Sequence, residues 1–271
     1  ANPPGGGRVP GGPSGLAPRG ACLRLGRPFT TSYHTRFPEY LRARLPVPLS
    51  WSYAWLRRFH NSGAACLVAS ATIASELEGQ GFTTIVPWTR GVDHRLFRPR
   101  PDDDLAAQMG WERPIFMNVG RVSVEKNLGA FLRLPLPGPG GAGGDARGRT
   151  GRRREFPGAV SPGARAGGEL ARHFAAADVF VFPSLTDTFG NVLLEALACG
   201  VPVAAFPVAG PLDVIGSSGA GVLDADLGRA ATAALGIARE TALAHSQRFS
   251  WEECARGLLE AGRPTAPRQA A

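Results

Sequence analysis

Short apolar runs alternate with helix-length amphipathic stretches along most of the chain. Pro28–His34 (PFTTSYH) predicts a strand, because Thr, Phe and Tyr favour pleated backbone. Phe37–Leu45 and Trp51–His60 carry helical spacing and are separated by breaks at Pro46 and Pro48. Ala65–Ala69 is a short buried strand. Ser70 offers an oxygen to cap a helix over Ala71–Gln80, which Gly81 ends. Thr84–Val86 is the next strand. Residues 94–113 read as a linker, with Pro99, Pro101 and the run Asp102–Asp104. The buried strand Pro114–Val119 follows, then helices over Asn127–Leu134 and Glu169–Ala177, and a strand at Val179–Phe182. A helix at Asn191–Cys199, a strand at Val203–Phe206 and two more helices complete the pattern. Strands alternating with helices at this spacing predict an α/β protein with parallel sheets.

Two stretches break the pattern. Residues 1–20 are rich in Gly and Pro, lack an apolar centre and do not read as a signal peptide. Residues 137–154 (PGPGGAGGDARGRTGRRR) hold almost no large apolar side chain and predict irregular structure. This second stretch also changes the meaning of the charge. The chain carries a net +8, but from Gly138 to Arg154 five arginines face one aspartate, a balance of +4. The remainder is modestly basic, so a nucleic-acid-binding protein is not expected. Gly, Ala, Arg and Pro have G- and C-rich codons, and a short shift of reading frame in a GC-rich gene would produce such a run.

Four dispersed cysteines (Cys22, Cys66, Cys199, Cys254) make no metal-binding pattern and read as reduced thiols of a cytoplasmic protein. No apolar run is long enough to span a bilayer.

Two motifs carry candidate chemistry. Gly120-Arg121 through Lys126-Asn127 directly follows the Pro114–Val119 strand and opens a helix. Ligands of open α/β sheets sit at the carboxyl ends of strands. Two cations and a helix N-terminus there suit a diphosphate, while two solvated surface cations are the alternative. In the second motif the strand ending at Phe182 leads into Asp187-Thr188-Phe189-Gly190-Asn191-Val192 and on to Glu195. Asp187 lies in the turn and Glu195 about one turn inside the helix. Both carboxylates can accept bonds from sugar and ribose hydroxyls, and the amides of Gly190 and Asn191 carry the positive end of the helix dipole. The competing reading makes Asp187 a helix cap and Glu195 a solvated face residue.

In this order the motifs resemble glycosyltransferase family 4, and the subgroup most similar is the bacterial GDP-mannose-dependent α-mannosyltransferases. The resemblance also covers Ser32–Thr35 (SYHT), Arg90–Asp93 (RGVD) and Gly210–Ile215 (GPLDVI). It implies a GT-B fold of two Rossmann-like domains and retaining transfer of a hexosyl, mannosyl by subgroup, from a nucleoside-diphosphate sugar to a lipid or glycan acceptor. Arg121 and Lys126 would hold the pyrophosphate. Asp187 and Glu195 would hold sugar and ribose, with Gly120, Phe189, Gly190, Asn191 and Val192 beside them. His34, near donor and acceptor, and Asp187 would be the catalytic residues, and Asp93, at the domain junction, would be structural. A phosphate oxygen would take the acceptor's proton. No obligatory metal or other cofactor is expected.

The resemblance divides the chain into an irregular segment at 1–20, the tail of an acceptor domain at 21–93, a linker at 94–113, a donor domain at 114–258 and a tail at 259–271. The family's glycine-rich opening strand reads as missing, so the first domain reads as incomplete. An inactive remnant that binds nucleotide only is the alternative function. The aromatic and basic stretch Trp51–Phe59 admits peripheral membrane contact at the inner face or an acceptor lid, against ordinary packing of an amphipathic helix.

Overall fold

The computed structural model describes residues 7–9, 15–121, 123–137, 141–143 and 163–261. They fall into two units: residues 1–90 with 252–271, and Gly91–Trp251.

The first unit is built on four parallel strands, β1 (Gly7–Val9), β2 (Phe29–Tyr33), β3 (Ala65–Val68) and β4 (Ile85–Pro87), in the order β1-β2-β3-β4. Helices α1 (Leu16–Arg24), α2 (Phe37–Arg44), α3 (Leu49–His60) and α4 (Ala71–Gly79) lie between them in sequence. β2 and β3 are buried along their whole length, as expected of parallel strands covered on both faces. α3 shows its amphipathic origin: Leu56, Phe59 and His60 are buried, whereas Trp51 is 72% exposed. Ser70 caps α4 as the sequence predicts, its hydroxyl accepting from the Ile73 amide at 3.0 Å.

The second unit contains α5 (Leu105–Met109), β5 (Phe116–Asn118), α6 (Leu128–Leu132), β6 (Gly141–Gly143), α7 (Gly167–Ala176) and β7 (Val179–Phe182). α8 (Asn191–Ala198), β8 (Val203–Ala205), α9 (Ala209–Val214), β9 (Gly221–Leu223), α10 (Leu227–Ala234) and α11 (Arg239–Ser246) follow. The parallel sheet has the order β6-β5-β7-β8-β9. One core layer joins Phe116, Phe131, Val179 and Val181 to Leu227, Ala230 and Ala234 of α10. Phe174 and Phe180 are also fully buried, with ring centroids 5.4 Å apart. The chain then leaves through α12 (Trp251–Ala261).

The strand order locates the ligand edge. From β5 the chain moves one way to β6, then returns to place β7 on the other side of β5. The order reverses between β5 and β7, and in open α/β sheets that reversal leaves a crevice beyond the carboxyl ends of the two strands.

Several expectations need correction. The predicted irregular segment 1–20 contains β1 and the start of α1, so a strand does precede β2. Pairing with β2 needs only backbone groups, and Pro18 fits the first turn of α1, where its missing N–H has no intrahelical partner. Within the stretch expected to be irregular, Gly141–Gly143 forms edge strand β6; residues 138–140 and 144–162, with all five arginines of the basic run, lie outside the described residues. The expected linker holds α5, capped by Asp104 through the Ala107 amide at 3.0 Å. After β8 there are four helices and a fifth strand, not two helices. The four cysteines are free, as expected. Among the described residues no helix is long and apolar enough to cross a membrane.

Candidate donor site at the β5–β7 crevice

The two sequence motifs form the loops that follow β5 and β7, and they are tied together. The Asn118 side chain donates to the Val181 carbonyl at 3.0 Å, extending the β5–β7 pairing to the mouth of the crevice. Asn127 adopts the left-handed region (φ 50°), which Asn tolerates better than other L-residues, and donates to the Pro183 carbonyl at 3.3 Å. The Ser184 hydroxyl donates to the Glu125 carbonyl at 3.3 Å. Across these ties the Lys126 ammonium donates to both carboxylate oxygens of Asp187, at 2.7 and 2.5 Å. Its Nζ also lies 5.8 Å from the centre of the Phe182 ring. Asp187 is thus the counterion of Lys126 and not a helix cap; α8 has Gly190 at its N-cap and no side-chain cap bond.

Gly120 and Gly190 serve different purposes. A methyl group at Gly120 would meet no atom of the described residues within 4 Å, so the half-buried backbone at the end of β5 is uncovered on that side. Gly190 has φ 84°, and a methyl there would meet Leu193 Cδ1 at 3.1 Å and Phe182 Cζ at 3.3 Å. Only glycine enters α8 this way. The first intrahelical bond of α8 runs from the Leu193 amide to the Gly190 carbonyl at 2.9 Å, so the amides of Asn191 and Val192 precede the helical ladder and bear the positive end of its dipole. Arg121 is exposed and pairs with no carboxylate among the described residues. A diphosphate would meet Arg121, Lys126 and these amides. Among the described residues no cluster of His, Cys, Asp and Glu forms a metal cage. Asp103 and Asp104 of the acidic run are engaged elsewhere, with Arg172 and the α5 cap.

Glu195 is half-buried in α8 between Leu194 and Ala196, and burial raises its carboxyl from 4.5 to about 7. It is therefore not a solvated face residue. Phe189 is buried and packs edge-on against Phe249 with centroids 6.3 Å apart, so its ring supports the turn from beneath. The sequence motif contains one support without showing its purpose. Gly210 at the start of α9 sits against the Asp187–Phe189 backbone, and a methyl group there would come within 2.8 Å of the Phe189 carbonyl oxygen. Gly210→Ala is expected to push this turn outward and destabilise unit two by about 1–3 kcal/mol, read as a lower denaturant midpoint.

His34 follows β2 in the first unit. Its Nε2 lies 2.6 Å from the Ser32 hydroxyl, and Arg90 donates to its Nδ1 at 2.9 Å. Asp93 accepts from the Arg95 and Leu96 amides at 2.9 and 3.2 Å, closing a turn after Arg90–Asp93.

Comparison with known proteins identifies the family and the fold. Residues 7–96 match the model of Glycosyltransferase Family 4, and residues 142–239 match that of Glycosyl transferases group 1. A GDP-mannose-dependent alpha-mannosyltransferase of Mycobacterium tuberculosis is 34% identical over 209 residues, covering 75% of this chain and 55% of that protein. A sulfoquinovosyl transferase of Arabidopsis thaliana is 33% identical over 207 residues, covering 70% and 40%. The chain thus spans about half the length of these relatives. Among solved structures, sucrose-phosphate synthase from Thermosynechococcus elongatus superposes with a TM-score of 0.73 at 22% identity, covering 89% of this chain and 69% of that one. Anabaena HepE in complex with UDP-glucose gives 0.72 at 19% identity, covering 90% and 75%. The parallel sheets, the two tied loops and these matches together assign the chain to the group 1, family 4 glycosyltransferases of GT-B fold.

Proposed function

We propose that the chain binds a nucleoside-diphosphate sugar at the β5–β7 crevice and serves retaining transfer of its hexosyl group, mannosyl in the favoured reading, to a lipid or glycan acceptor. The observation that carries this is the Lys126–Asp187 pair, which bridges the two loops beside an uncovered Gly120 backbone. Arg121, Lys126 and the α8 amides hold the diphosphate and stabilise the charge that develops on it as the glycosidic bond breaks. Asp187 and Glu195 accept hydrogen bonds from the donor's hydroxyls. A phosphate oxygen takes the acceptor's proton. His34 serves the transfer. The names of the mannosyltransferase relatives favour GDP-mannose.

Thermal unfolding with GDP, UDP and their sugars tests the donor site. A ligand at about 100 times its Kd stabilises the native state by about 2.7 kcal/mol. A selective rise in midpoint is expected with one base, lost in Arg121→Ala and reduced in Glu195→Ala. The absence of a rise with any nucleotide sinks the reading. Binding without sugar transfer would leave the nucleotide-binding remnant. Transfer is expected to be unaffected by a metal chelator, since the cations of the site are side chains.

For the acceptor side we propose peripheral contact with an anionic membrane through α3, whose exposed Trp51 and Trp55 stand beside Arg58. Co-sedimentation with anionic vesicles is expected to fall in Trp51→Glu. Equal binding by that variant removes α3 from the contact.

A further inference from the structure

We propose that Arg90 is a positioning residue that fixes His34 as its neutral, Nε2-protonated tautomer, making His34 a hydrogen-bond donor and not a base. Arginine has only N–H donors and stays charged, so a nitrogen facing it at hydrogen-bond distance must offer a lone pair. Arg90 Nη2 is 2.9 Å from His34 Nδ1. Nδ1 is therefore the unprotonated nitrogen, and the ring proton resides on Nε2. Nε2 faces the Ser32 hydroxyl at 2.6 Å, which accepts it. An imidazolium would set N–H against N–H and positive charge against positive charge at the same contact, so the cation also opposes protonation.

The guanidinium is itself held. It lies 5.2 Å from the centre of the Trp88 ring, and the Trp88 indole N–H donates to the Cys254 carbonyl at 2.9 Å. The same indole lies 5.9 Å from the His34 ring. Trp88 thereby braces both members of the pair. The buried His60 gives the contrast. Its Nδ1 faces the Thr31 hydroxyl at 2.9 Å, and that hydroxyl gives its one proton to the Ala65 carbonyl at 3.3 Å, so it accepts from a protonated Nδ1, the opposite of His34.

The assignment gives a purpose to the first residue of Arg90–Asp93, where sequence offers only a likeness. It rests on the proposed function in one respect, that His34 serves the transfer. There it implies that the acceptor's proton must leave by another route, as the phosphate oxygen provides.

In the full chain with its five histidines labelled with ¹⁵N, long-range proton–nitrogen correlation at neutral pH reads the tautomers directly. His34, assigned through His34→Gln, is expected to show an unprotonated Nδ1 and a protonated Nε2. Arg90→Lys keeps a donor cation and is expected to retain that form. Arg90→Met removes the donor and is expected to lose the single form. A protonated Nδ1 in the wild type, or an unchanged tautomer in a folded Arg90→Met, overturns the proposal. Should Arg90→Met not fold, the other two spectra decide, because a protonated Nδ1 in either one overturns it. Nucleotide binding measured on the same samples is an independent outcome. The expected tautomer in a chain that binds no nucleotide upholds Arg90 and sinks the donor-site reading.

Discussion

Lys126→Met is expected to abolish the nucleotide-dependent rise in unfolding midpoint and to slow sugar transfer by about 10²–10³-fold, the usual cost of removing one preorganised donor from developing charge. The chain without nucleotide should hardly notice the change. The Lys126–Asp187 pair is about one-fifth exposed on each side, and partly exposed ion pairs contribute about 1 kcal/mol or less. The pair also explains why Lys126 is ready for a phosphate. Asp187 keeps the ammonium over the crevice, with Phe182 beneath it, and the donor's diphosphate can exchange for the carboxylate. Asp187→Asn separates the two roles. It frees Lys126, so GDP or UDP alone should bind at least as well as before. The further stabilisation contributed by the sugar should disappear, because the carboxylate that accepts its hydroxyls is gone. If Lys126→Met leaves nucleotide binding intact, the diphosphate is not at this edge and the donor site must be sought elsewhere.

The parts of the fold legible in the sequence are those that bury whole strands. Val179–Phe182 and Ala65–Val68 lie inside parallel sheets, so their apolar runs admit little else. The strands that escaped are short and glycine-bearing. β9 shows why: a methyl at Gly221 would come within 2.5 Å of the Val203 carbonyl oxygen, so the tight approach to β8 demands the residue that hides a strand pattern. β1 and β6 are three-residue edge strands held by backbone pairing, which leaves no side-chain periodicity to read.

The candidate site was legible as two motifs, but not as one object. Lys126 and Asp187 are 61 residues apart, and only the β5–β7 adjacency brings them into contact. That adjacency follows from the reversed strand order, which local sequence does not encode. Phe189 belongs to the motif as written, yet its ring is spent on Phe249. Glu195 could be read as buried because its neighbours are apolar, and its raised pKa is the consequence. Arg90 could not be assigned a task, because nothing in its local sequence points to an imidazole 56 residues earlier.

Acid should move the two units in opposite directions. In the first, burial lowers the His60 imidazole from 6.5 to about 4. The ring is 1% exposed, and among the described residues its hydrogen-bond partners are the Thr31 hydroxyl and the Cys66 thiol, with no carboxylate. A group whose native pKa is depressed binds protons more weakly when folded. Its contribution is therefore complete above pH 6.5 and is lost as pH falls toward 4. At about 1.4 kcal/mol for each pH unit between the two values, the loss reaches about 3 kcal/mol. Glu195 in the second unit has the opposite sign. Its native pKa, raised from 4.5 to about 7, means that the folded state binds the proton more tightly. The cost of burying its charge is greatest above pH 7 and disappears as pH falls to 4.5. Between pH 6.5 and 4.5 the first unit should weaken while the Glu195 site strengthens. Calorimetric scans over this range are expected to show the first unit's transition moving down relative to the second's, and two units need not unfold as one. His60→Phe should flatten the first unit's slope without touching the second, and Glu195→Gln should do the reverse. A single transition whose pH slope neither substitution changes would show that these buried groups do not control acid stability. The same titration bears on the site: a donor that needs Glu195 ionised should bind more tightly above pH 7 than below it, and Glu195→Gln should remove that dependence.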